Sequence, residues 1–300
     1  MSSVCETPFS AADAAPRVAD SRVEARAPVA RLRAAAHSFR ILHRRQPALA
    51  AAAAIALLGA VPCLLAMLVD ARTVNGVDVW IKPTKFFVSL TVYFATLAWA
   101  FGYLPRAAQR TLAGKLVIRG AIAAAVYEMT WIVAAAANGT TSHFNTSSLL
   151  SQAAYAVGGL ASLVLIGAIL VQGVMIARQR AVPIAPALRW GIVAGAVIAF
   201  GATLITAGYM STSGAHWVGG VASDAQGLPL LGWSRTGGDL RVAHFFALHA
   251  QQAMPALGLL AVALGRPRAC GAVLLGALGW VALVGYTFVQ ALRGVPFLAL

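Results

Sequence analysis

The chain has 300 residues, 60% of them hydrophobic and only 11% charged, with a formal net charge of +14 and a mean hydropathy of +0.77. A soluble globular protein carries about 25% charged residues, so this composition excludes that class and defines an integral membrane protein. Cys5, Cys63 and Cys270 are too scattered for a disulfide framework or a thiolate metal site.

Residues 1–46 read as a basic cytoplasmic tail. Residues 1–27 are rich in Ala, Pro, Asp and Arg and are expected to be disordered. No apolar core precedes Pro47, so no cleavable signal peptide is expected. From Val29 onward, Val29, Leu32, Phe39 and Leu42 fall at helical spacing among Arg31, Arg33, Arg40, Arg44 and Arg45. That pattern fits a helix lying on the inner leaflet or a solvated basic tail that fixes topology.

Residues 47–300 hold apolar runs at about 48–69, 84–104, 117–137, 152–176, 189–210, 241–265 and 269–291. Each can cross a hydrocarbon core roughly 30 Å thick. The predicted fold is an all-α membrane protein of seven transmembrane helices. With the N-terminus cytoplasmic, seventeen of the 23 Lys and Arg residues fall on the inner side and six on the outer. The positive-inside rule then puts the N-terminus in the cytoplasm and the C-terminus outside. The positive charge is accounted for by topology and attraction to anionic lipid, and it is poor evidence for nucleic acid. Low Lys with abundant Ala and Arg points to a bacterial inner membrane.

Polar chemistry gathers in three outer connections, 70–85, 138–151 and 211–240, and in the spans beside them. In the first, VDVWIKPTKFF sets Trp80, Lys82 and Lys85 at the boundary, as interfacial anchors or as a site for an anionic ligand or headgroup. Glu128 is the only acid inside a span away from its ends, about 15 Å below the outer end of the third helix. Intramembrane acids are functional candidates by default. The second connection carries His143 in NGTTSHFNTSS, placed over the bundle or solvated. The third, with seven glycines and His216, is expected to be a lid or plug, because unstructured loops of that length are uncommon unless functional.

Asp239 precedes the sixth span and can cap its free amides. Within that helix come Arg241, His244, His249, Gln251, Gln252 and Pro255. Two histidines four apart share a helix face and bind one metal ion. Here they are five apart, about 140° round the helix, so they face different neighbours unless a π-bulge intervenes. His249 lies about 13 Å into the sixth helix and meets Glu128 if helices three and six are adjacent.

At WIKPTKFF, SHFN, GWSRTGGDLRVAHFFALHAQQ and the membrane glutamate, residues 75–255 resemble a family of uncharacterised bacterial multi-pass membrane proteins. The resemblance implies the polar pattern and no catalytic residue. Seven-span zinc hydrolases of the alkaline ceramidase and adiponectin receptor type place a His pair four apart on the last helix and a histidine on the second. This chain has the wrong spacing, on the sixth helix, and no histidine in the second span.

The leading expectation is an outward-facing polar pocket for a small ligand or for a transition-metal or haem cofactor. Glu128, Asp239, Arg241, Gln252, Lys82 and Lys85 are its candidate ligand-binding residues, and His143, His244 and His249 its candidate metal ligands. A membrane enzyme acting on a lipid or amphiphile at the outer leaflet, with a histidine base, and a proton-coupled transporter or sensor working through Glu128 are the alternatives. The lipid bilayer is the expected partner.

Overall fold

Gln46 breaks the chain between its first two helices. Its extended backbone (φ −152°, ψ 100°) ends α1 (Ser21–Arg45), and its side chain accepts the Leu49 amide at 2.8 Å to start α2 (Pro47–Ala66). The computed structural model describes residues 21–299, with side chains from residue 33. Residues 21–27, expected to be disordered with the rest of 1–27, are the start of α1, while residues 1–20 and the side chains of Val29 and Leu32 lie outside the described residues.

Six further helices follow: α3 (Ile81–Phe101), α4 (Leu112–Ala137), α5 (Leu149–Arg178), α6 (Pro186–Ser213), α7 (Leu240–Ala263) and α8 (Cys270–Leu292). With α2 they make seven helices long and apolar enough to cross a membrane. The expectation of an all-helical, seven-span protein holds. Helix ends differ from the hydropathy runs by a few residues where polar groups decide them. Thus α4 begins five residues early because the Thr111 hydroxyl accepts the Gly114 amide at 3.1 Å, and a π-helical turn at Leu116–Gly120 is absorbed within it.

The connections between α2 and α3, α4 and α5, and α6 and α7 all emerge at one end of the bundle, the loop face. The first contains a hairpin of β1 (Thr73–Val74) and β2 (Val77–Asp78) around Asn75 and Gly76, both at positive φ (56° and 81°). Asn-Gly is the pair that a two-residue turn of this hand favours. The third contains β3 (Trp217–Val218), antiparallel to β4 (Gly238–Asp239). Short connections rich in arginine occupy the opposite end.

Large apolar side chains such as Leu58 on α2 and Leu275 on α8 are more than half exposed, as the lipid-facing surface of a membrane bundle must be. Inside, Leu49, Phe94, Leu97, Phe101 and Ile176 build one core, and Ile169, Ala199, Ala250 and Met254 a second between α5, α6 and α7. The closest helix approach is α6 on α7. A Cβ added to Gly191 would lie 2.5 Å from the Met254 carbonyl oxygen, and one on Gly195 2.6 Å from that of Ala250. Apolar burial gives no driving force between helices in lipid, so small residues that let backbones touch hold such pairs together. Gly195→Val is expected to destabilise the protein by about 1–3 kcal/mol through overpacking. Gly201→Val, at a position with nothing within 4 Å of the added carbon, should leave the unfolding midpoint in detergent near that of the wild type.

Candidate functional site

At the loop face the buried carboxylate of Asp239 is the centre of a dense set of hydrogen bonds. It caps α7 by accepting the Arg241 amide at 3.0 Å, and it also accepts the Ser234 amide at 2.9 Å. The Arg241 side chain folds back on it through Nε at 2.9 Å and Nη2 at 2.6 Å. The same Nη2 donates to Asp224 at 2.7 Å and to the Gly232 carbonyl at 2.7 Å. Asp224 in turn meets His216 Nε2 at 3.3 Å, and its backbone amide donates to the Asn75 carbonyl at 2.9 Å. Burial works to raise the Asp224 carboxyl, but His216 and Arg241 together bring it below its ordinary value. One guanidinium therefore ties the 214–239 loop to α7, and the Asp224 backbone amide ties the loop to the β1–β2 hairpin.

A second polar cluster lies within the bundle near the same end. Lys82, in the first turn of α3, donates to His143 Nδ1 at 3.2 Å, and Ser142 Oγ lies 3.1 Å from the same nitrogen. The turn carrying His143 is held by Trp131 Nε1, which donates to the Ser142 carbonyl at 2.6 Å, and by ring contacts with Phe86 and Tyr155. Lys82 is within electrostatic reach of Glu128, and His143 within that of His244. Glu128 is 3% exposed; Ser162 Oγ donates to its Oε1 at 3.0 Å, while its Oε2 has no partner among the described residues. Thr203 Oγ1 on α6 is buried and unpaired in the same way.

The hydrogen bonds assign tautomers. An ammonium only donates, so His143 Nδ1 accepts from Lys82 and the ring proton sits on Nε2. Burial, followed by the charges of Lys82 and His244, holds His143 well below the ordinary imidazole value, which keeps it neutral. His244 is the reverse case. The single hydroxyl proton of Thr206 goes to the Ala202 carbonyl at 3.0 Å, so Thr206 Oγ1 accepts from His244 Nδ1 at 3.3 Å. In its neutral form His244 then offers Nε2 as an acceptor. Both residues are half-buried, and neither Nε2 has a protein partner among the described residues.

The residues expected from sequence divide between these two places. Lys82 and His143 are bonded to each other in the bundle, with Glu128 within electrostatic reach of Lys82 and His244 within that of His143. Asp239 and Arg241 are engaged in the loop hub, and Lys85 joins them there by donating to the Leu231 carbonyl at 3.0 Å. Gln252 is deeper, accepting from His249 Nδ1 at 3.3 Å and donating to Thr96 on α3 at 3.3 Å. Glu128 and His249 do not meet, because α4 packs on α5 and α3 whereas α7 packs on α6 and α8. The expectation of a metal or haem centre on His143, His244 and His249 finds no support in the structure. Among the described residues no group of three or more His, Cys, Asp or Glu side chains can hold a metal ion. The five-residue spacing turns the two helical imidazoles to different neighbours, His244 to Thr206 and His249 to Gln252.

Asp224, Ser162, Thr203 and Thr206 belong to this region without having been singled out from sequence, and His216, noted there only as a loop histidine, pairs with Asp224. Asp224 carried the one available signal, since acids are scarce in this chain and it lies in the loop that ends at Arg241. Neither a protein-family model, nor a curated protein, nor a solved structure matches the chain.

Asp239→Ala leaves Arg241 without its main partner inside the hub. Breaking a buried pair from one side costs about 3–5 kcal/mol, so the variant should melt early and the 214–239 loop should become open to limited proteolysis. The depressed His143 also sets a pH dependence. Its unfolded form takes up a proton as pH falls below about 6.5 while the folded form resists. Stability contributed by the neutral ring is thus full above that pH and lost as pH falls toward the folded value. The midpoint measured from pH 7.5 to 5 should fall less in His143→Gln than in the wild type.

Proposed function

We infer that this integral membrane protein binds a small polar ligand in the cluster formed by Lys82, Glu128, His143 and His244, beneath the plug made by the 214–239 loop. The observation that carries the reading is the unpaired Oε2 of Glu128, 3% exposed inside a membrane bundle. Leaving a buried polar atom unsatisfied costs about 1–3 kcal/mol, more for a charged group. A ligand that supplies the missing hydrogen bond recovers that energy.

The donor and acceptor pattern names the ligand class. Lys82 Nζ and His143 Nε2 offer donors for a carboxylate, and Glu128 Oε2 and His244 Nε2 offer acceptors for a hydroxyl or amine. A small hydroxy or amino acid satisfies both. The basic end of the bundle argues for the cytoplasmic side, so the loop face, with this site and the C-terminus, is taken as the outer one, in a bacterial inner membrane. The protein then acts as an outward-facing ligand binder, with the bound state as its signal or its cargo.

Thermal unfolding of the purified protein against a panel of small hydroxy and amino acids tests this. A ligand at about 100 times its Kd should stabilise by about 2.7 kcal/mol. The same ligand should have no effect on Lys82→Met or Glu128→Gln, both of which must first be seen to fold. A flat response of the wild type across the whole panel would sink the reading.

A further inference from the structure

Between α3 and α7, well away from the loop face, a cleft of about 400 Å³ opens on the side of the bundle. Its walls include Thr91, Thr96 and Trp99 from α3 and Gln251, Gln252 and Pro255 from α7. By the helical rise, these walls run from about 15 to 28 Å below the first residues of the two helices. The opening therefore faces hydrocarbon. The only side-chain hydrogen bond joining α3 and α7 among the described residues is the 3.3 Å contact from Gln252 Nε2 to Thr96 Oγ1. Inward, the cleft continues into a cavity of about 20 Å³ that shares Thr96, Trp99, Gln251 and Pro255 and adds Gln172.

Gln251 is the informative residue here. It is 7% exposed, and among the described residues its amide has no hydrogen-bond partner, although it lines both spaces. Its equally deep neighbour Gln172 donates to the Leu97 carbonyl at 2.9 Å. A primary amide carries two donors and an acceptor, and leaving them idle in lipid is expensive. The side chain is therefore placed to meet a hydrogen-bonding group that arrives through the cleft. No charged side chain lines the walls, and a charged group at this depth is costly. The volume suits a small molecule rather than another helix.

We propose that the α3–α7 cleft binds a neutral, membrane-dissolved amphiphile, whose apolar chain or ring lies in the lateral opening and whose single hydroxyl or carbonyl group bonds to Gln251. The site is separate from the polar cluster at the loop face and stands without it. Entry is from the bilayer, through the gap spanned by Gln252 and Thr96.

A photoactivatable fatty alcohol carrying a diazirine, and the matching diazirine alkane, test this on the full chain in lipid nanodiscs. The alcohol should label 91–99 and 251–259, and excess unlabelled fatty alcohol should compete it away. It should label these segments about three- to tenfold more than the alkane does, the preference one neutral hydrogen bond confers. Gln251→Leu should erase that preference. Ala256→Trp, placing a large ring at an exposed position on the cleft wall, should abolish labelling by both probes without touching the buried amide. Neither variant should change the response of the loop-face cluster to small acids. Equal labelling by the two probes in the wild type overturns the proposal, as does uncompeted labelling spread over the lipid-facing sides of α2 and α8.

Discussion

The carboxylate of Asp239 is the point on which the loop face depends. It is 1% exposed, and a charge so placed survives only if it is neutralised and hydrogen-bonded on several sides. Arg241 supplies the neutralisation two residues on, and the Ser234 and Arg241 amides complete the bonding. Because Arg241 also holds Asp224 and the Gly232 carbonyl, the need to satisfy one acid at the start of α7 orders a loop that has little regular structure of its own. Glycine then makes the fit possible: Gly238 packs so close to the Ala291 carbonyl that no Cβ could stand between them.

Below this hub the chemistry changes character. In the hub, Arg241 bonds both Asp239 and Asp224 and the three position one another, although Trp217 Nε1 on the adjoining strand is buried without a partner among the described residues. Among Lys82, Glu128, His143 and His244 donors and acceptors are not matched, and open hydrogen-bonding capacity remains on each side of the cluster. The cleft between α3 and α7 repeats the contrast at greater depth, with Gln172 bonded and Gln251 idle. Satisfied polar groups in a membrane bundle describe its architecture; unsatisfied ones are where a ligand would find hydrogen bonds to make.

The seven spans were legible in the sequence because hydrocarbon thickness sets a length that apolar runs must reach. Lys82, Glu128, His143 and His244 were legible too, since a polar residue in an apolar run is itself a signal. Their grouping was not. Helical angle says which way His249 faces but not which helix it meets, and the glycines at 191 and 195 commit α7 to α6 rather than to the helix carrying Glu128. The roles of Asp239 and Arg241 were half visible: the cap follows from position, but the bond to Asp224 depends on how the intervening loop folds back. Asn75-Gly76 is a hairpin signal in its own right, while its contact with Asp224 is long-range and has no local trace.

The order of residues along the chain gives the loop hub a place in time. Asp224, Gly232 and Ser234 all precede Arg241, so the whole loop is synthesised before the residue that fastens it. Its partner across the bundle, the Ala291 backbone at the end of α8, comes later still. The hub therefore cannot be complete before Arg241 is made, nor Gly238 seated against Ala291 before the last helix is present.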